Sequence, residues 1–365
     1  MIKRIKIENF KALQEVDLTT KKLNIFTGLN GMGKSTILQS LLLLRQSFQP
    51  PFDTLYLNNH LIELGTFREI FCENPSSNQL SLMLQWEEGS QLSIERTYDT
   101  SLESQKSIKG EALDNESLKE HALFAEDTFK YLSAHRMKPS DVYEMNASLI
   151  DKRQLGNEGE FAPHYYHLNK NENIGIKALA FDEDDHIFSL EHQLNQWLGV
   201  ISPKIIVNTE SVNGNMIQLT YSYVTAHGNT SSYLPKNAGF GLTYVFSVLV
   251  ALLTAREGDI LVIENPESHI HPKGQTELAR LMALAAKSGV QIFCETHSDH
   301  IIYGTRIAIK EREIDKDEVT LYYIDRDDIE HFSVAHKIEI DKYGRLDRNA
   351  RKYFNEFESH LNRLM

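Results

Sequence analysis

The residues 28–36, "GLNGMGKST", fill every required position of the pattern GxxxxGK[ST]. Glycines such as Gly28, Gly31 and Gly33 let a backbone curl until successive N–H groups point into one concavity, which suits an anion. A helix opening at the loop adds the positive end of its dipole. Lys34 is then placed to reach β- and γ-phosphates, and the hydroxyl of Ser35, followed by Thr36, to ligate Mg2+. A glycine-rich turn before a core helix would also look like this. The apolar strand before the loop and the apolar helix after it supply the context that a phosphate loop requires.

Three further stretches carry chemistry. "ILVIENPESHIHP", 260–272, is an apolar run that ends in Glu264, Asn265 and Glu267. A phosphate-bridging cation wants hard oxygen ligands and only one or two protein carboxylates, so Glu264 is the expected metal ligand. His269 and His271 suggest zinc instead, but no cysteine lies close by to complete such a site. "NAGFG", 237–241, is a second glycine-rich turn before a second apolar helix, and Asn237, Gly239 and Gly241 can frame another phosphate. One nucleotide does not need two cradles in one chain. A head-to-tail dimer, each copy's second turn closing over the other's nucleotide, is the economical explanation. In "VQIFCETHSDH", His297 stands at the tip of a strand, where it can hydrogen-bond a γ-phosphate or an attacking water.

The elements that must position these residues are legible as alternating strands and helices. Residues 2–9 and 22–27 read as strands, with "VDLTT" between them. "ILQSLLLLRQSF" reads as a helix stopped by "QPPF". "QLSLMLQW" and "SQLSIERTY" alternate like a hairpin, as does 204–224 around "NGN". Residues 101–130 are polar and read as solvated helix and loop. From 240 onward the expected order is a buried helix, strand 259–264, helix 272–287, strand 290–295, helix 298–310 and strand 319–324. Such alternation implies an α/β fold with a mostly parallel sheet covered on both faces, beside an N-terminal antiparallel β subdomain. The expected division is a nucleotide-binding core of 1–75 and 232–335, a lobe of hairpins and helices over 76–231, and a C-terminal capping helix in 336–365.

The 365 residues are 41% apolar and 24% charged, with a formal net charge of −13. That balance fits a folded soluble protein and gives no support to a chain coated for nucleic acid. Two distant cysteines, Cys72 and Cys294, exclude a disulfide framework and fit a reducing cytoplasm. No apolar run is long enough to span a bilayer.

Taken in order, the four motifs resemble the ABC-type ATPase heads of the SMC, RecF and overcoming-lysogeny-defect group. "IKIENFKAL" looks like their first strand, which implies a place near the nucleotide for Lys11. Asn30 stands where an asparagine of that group approaches the γ-phosphate. "NAGFG" matches the place of the ABC signature, and "ETHSDH" looks like the switch-histidine segment. "YLSAHRMKP", "LGNEGEFAP" and "IEIDKYGRL" resemble a branch of short ATPases.

The resemblance implies ATP and Mg2+ as cofactors, dimerisation on ATP, and a protein partner such as a separately encoded nuclease in antiviral defence. DNA is a further candidate ligand, and no membrane partner is expected. Two departures stand out. The group's Asp-Glu pair is Glu264-Asn265 here, and an amide cannot act as a general base at neutral pH. The candidate hydrolytic residues are therefore Glu267, His297 and Asn265, with turnover expected to be slow. The second departure is an expectation that neither a long coiled coil before the signature nor a nuclease after the last strand is present. A nucleotide-gated scaffold with little turnover is the alternative, and a transporter's energising subunit is disfavoured by the unusual signature.

Overall fold

Continuous apolar runs become strands buried on both faces, and alternating runs become strands buried on one, as their periods dictate. The computed structural model describes residues 1–111, 116–182, 184–327, 329, 332–347 and 350–354. They divide into two units. One comprises Met1–Ala125, Lys316–Asp341 and the chain from Arg345; the other comprises Glu126–Asp315 and Lys342–Gly344.

In the first unit, Leu13–Thr19, Ile2–Phe10, Gln79–Trp86 and Gln91–Thr97 form an antiparallel sheet in that spatial order. Its last strand alternates buried and exposed residues without a break, the signature of a half-covered sheet. Separately, Leu23–Thr27 is buried along its whole length and runs parallel to Val319–Arg326, which pairs antiparallel with Ser333–Ile338. The helix Lys34–Ser47 starts directly after the glycine-rich loop.

In the second unit, the buried strand Ile260–Glu264 runs parallel to both Phe129–Leu132 and Gln291–Glu295. Crossover helices Pro272–Lys287 and Asp299–Lys310 follow the two strands whose tips carry the acids and His297. The helix Phe240–Leu253 is buried on nearly every side from Leu242 onward, as its all-apolar sequence requires. Ile205–Val212 and Met216–Thr225 make the hairpin turning at Asn213–Asn215. The pairings are those of a mixed α/β fold with a mostly parallel sheet and a separate antiparallel one. Among the described residues no helix is long and apolar enough to cross a membrane.

Two features differ from the sequence expectation or extend beyond it. The polar stretch 101–130 leads into the buried strand Phe129–Leu132, inside the range 76–231, and contributes to the parallel pairings. Lys130 disguised it: this lysine is 2% exposed and its ammonium lies 3.2 Å from the buried Asp259 carboxylate. Of the expected C-terminal helix, Arg351–Phe354 is helical, and 355–365 lie outside the described residues.

Candidate functional site

In the first unit the loop after Leu23–Thr27 has the backbone that the phosphate-loop reading needs. Gly28, Gly31 and Gly33 all have positive φ, at 139°, 76° and 96°. A Cβ on Gly28 would stand 2.2 Å from the Ile324 carbonyl oxygen, and one on Gly33 would stand 2.6 Å from Ser333 Oγ. The loop is thus laid tightly on the two C-terminal strands. Lys34 Nζ donates to the Leu29 carbonyl at 2.7 Å, folding the ammonium back across the loop. Arg326, at the end of Val319–Arg326, donates from Nη2 to the Gly31 carbonyl at 2.8 Å. Asn30 and Gly31 are exposed at the loop's crest, Ser35 is half-buried, and Thr36 is buried in the first helical turn. Lys11 takes a left-handed backbone and donates from Nζ to Gln39 Oε1 on the loop's helix, at 2.8 Å. Burial lowers its pKa. A cavity of about 590 Å³ beside it is walled by Lys11, Phe71, Cys72, Asn74, Arg326 and Phe332. A curled loop in which Gly28 and Gly33 leave no room for a side chain, with a lysine folded over it, fits a polyphosphate.

In the second unit the acids gather at two neighbouring strand tips, where Glu264 and Glu295 are opposite each other in register. Glu264 Oε1 accepts from the Tyr131 hydroxyl at 3.0 Å, and Oε2 accepts from the Ala134 N–H at 2.9 Å. Each carboxylate oxygen keeps a second lone pair, so these bonds orient Glu264 without using up its capacity as a hard ligand. Arg136 Nη2 donates to the Glu264 carbonyl at 2.6 Å, and burial pushes this guanidinium's pKa down to about 10. Asn265 turns the chain with φ 45°, its N–H donating to the Glu295 carbonyl at 2.8 Å. Glu267 Oε1 accepts the His297 N–H at 2.8 Å, and burial raises the Glu267 pKa. The His297 residue itself is exposed. Gln275 holds both tips: it donates to the Ile270 carbonyl at 2.8 Å and accepts from the Ser298 hydroxyl.

The structure therefore brings Glu264, Asn265, Glu267 and His297 into one neighbourhood. Sequence reasoning missed Tyr131, Arg136, Gln275 and Glu295. Tyr131 lies within, and Arg136 just after, the strand hidden by Lys130; Glu295 lies inside the "ETHSDH" motif and Gln275 beside the acidic one, with no chemistry assigned to either. The second glycine-rich turn belongs to the same unit. Asn237 and Gly239 are exposed, and a Cβ on Gly241 would stand 2.3 Å from the His269 carbonyl oxygen. The His269 ring packs edge-on against Tyr244 at 4.9 Å, while His271 Nδ1 accepts from the Lys273 N–H and caps Pro272–Lys287. Both histidines thus have protein roles, and among the described residues no group of three or more His, Cys, Asp and Glu forms a metal cage.

Comparisons with known proteins bear on the family and the fold. The family described as "AAA domain, putative AbiEii toxin, Type IV TA system" matches residues 23–302, and a family of unknown function (DUF3696) matches 314–364. An OLD nuclease of Thermus scotoductus is 33% identical over 70 residues, which is 19% of this chain and 13% of that protein. An SMC head solved with the C-terminal winged-helix domain of ScpA aligns with 93% of this chain and 99% of its own. Its TM-score is 0.55 at 13% identity. The SMC head domain of Thermotoga maritima aligns over 93% and 99%, with a TM-score of 0.46 at 12% identity. With the family match spanning well over half its length, this chain belongs to that AAA-domain family of P-loop ATPases, and its fold is that of an SMC head.

Proposed function

We propose that the chain binds ATP with Mg2+ and hydrolyses it slowly, and that the nucleotide governs head-to-tail dimerisation that regulates a protein partner. The observation that carries the reading is the phosphate loop: three positive-φ glycines, of which Gly28 and Gly33 press onto a backbone carbonyl and a hydroxyl, with Lys34 folded over the loop. In this reading Gly28–Thr36 and Lys34 hold the phosphates, with Asn30 and Lys11 near them. Ser35 and Glu264 would hold Mg2+, which neutralises charge on the phosphates. Water attacks the γ-phosphorus, its proton passes to Glu267, and the bond to the β-γ bridging oxygen breaks to release ADP and phosphate. His297 hydrogen-bonds the phosphate or the water. Asn237, Gly239 and Gly241 offer the exposed turn to the nucleotide of a second copy.

A regulated partner is supported by an SMC head solved with a domain of ScpA and by the short match to an OLD nuclease. A separately encoded nuclease or effector, in antiviral defence or DNA repair, is the partner proposed, with DNA a further candidate ligand. Phosphate release and ATP binding by the purified protein, with Lys34→Ala as blank, test the reading. The expected result is Mg2+-dependent release above the blank. A second reading, a nucleotide-gated scaffold, is favoured by Asn265; binding of ATP with release at the blank's level would establish it.

A further inference from the structure

Three buried polar atoms at the acidic turn have no hydrogen-bond partner among the described residues: Asn265 Oδ1, Glu267 Oε2 and Arg136 Nη1. They share a neighbourhood. Asn265 and Glu267 lie on one turn, closed by the Ser268 N–H donating to the Asn265 carbonyl at 3.2 Å. Arg136 is bound to the carbonyl of Glu264, the residue just before, and its charge interacts with those of Glu264 and Glu267. An orphaned buried polar atom carries a desolvation penalty, larger for an ionised group, so folded proteins rarely keep several together without a purpose.

The set is also complementary in kind. An amide oxygen and a carboxylate oxygen accept, while a guanidinium donates. A buried water needs two to four polar partners, and it donates two hydrogens while accepting others. We propose that Asn265 is a water-positioning residue, whose side-chain oxygen accepts one hydrogen of a water that gives its other hydrogen to Glu267 Oε2 and accepts from Arg136 Nη1. This deepens the ATPase reading and rests on it. A water held this way keeps one oxygen lone pair for attack, with Glu267 already facing the proton to be removed. The amide then orients the water without having to take the proton.

Asn265 also has an ordinary reason to be asparagine, since φ 45° favours Asn and Gly over other residues. The two explanations separate by substitution. Asn265→Gly keeps the backbone at ease and removes the acceptor; Asn265→Asp keeps an acceptor. Steady-state phosphate release and ATP affinity are measured for the unsubstituted chain, both variants and Lys34→Ala. The expected result is that Asn265→Gly lowers kcat on the order of 10- to 100-fold with ATP affinity unchanged, and that Asn265→Asp recovers most of the loss. Release above the blank that is undiminished in Asn265→Gly overturns this inference alone. Release by the unsubstituted chain at the blank's level removes the ATPase reading and this inference with it.

Discussion

At the scale of single residues, the proposed mechanism asks Glu267 to act as the base, and its surroundings bear on that role. Its carboxyl is pulled in two directions: burial raises its pKa, and the His297 N–H lowers it, with burial the larger influence. A base works only when deprotonated, so turnover should fall as pH drops through that raised value. The acid limb of kcat should therefore lie above the ordinary glutamate midpoint of about 4.3, as a pH–rate profile would show. Glu267→Gln should lower kcat by about 10²- to 10⁴-fold and abolish that limb, while ATP affinity stays near the original value in a binding titration. Unchanged turnover would remove Glu267 from the mechanism. Glu264 differs from its neighbour in being held by two donors, Tyr131 and Ala134, which fix its direction.

At the scale of elements, the second glycine-rich turn and the acidic turn are packed backbone to backbone at Gly241 and His269. Gly241→Ala would drive a methyl into the His269 carbonyl and push the start of Phe240–Leu253 away. The overpacking should cost about 1–3 kcal/mol. ATP-dependent dimerisation, followed by light scattering in a Glu267→Gln background, should weaken while ATP affinity of the single copy persists. Undiminished dimerisation would show that the turn takes no part in it. The same elements show what sequence could reveal. Pro272–Lys287 begins at its proline and was legible to the residue, and Ile260–Glu264 was legible because nothing polar interrupts it. Phe129–Leu132 was not legible, because the charge of Lys130 is satisfied by Asp259, a partner 129 positions away. Arg136 and Tyr131 were lost with that strand. The acids could be recognised from their motif, whereas the groups that orient them depend on a tertiary pairing.

At the scale of the whole molecule, stability has a polar anchor as well as an apolar core. Asp259, 1% exposed, accepts from Arg153 Nη2 at 2.8 Å, Lys130 Nζ at 3.2 Å and the Arg256 N–H at 2.9 Å. Asp259→Ala would leave two buried cations without their carboxylate, at about 3–5 kcal/mol. Denaturant unfolding should report that loss, and a change below about 0.5 kcal/mol would mean that the anchor contributes little. The phosphate loop has a different dependence. It lies on Ile324 and Ser333 and is fastened through Arg326, close to three hundred residues downstream. A ribosome adding about 5–20 residues per second separates the making of the loop from the making of its floor by roughly 15–60 s. During that interval the emerging chain carries the nucleotide motif without the support that shapes it. On the ATP-binding reading, the expected consequence of this order of synthesis is that the nucleotide site forms only after the strand pair 319–338 has emerged.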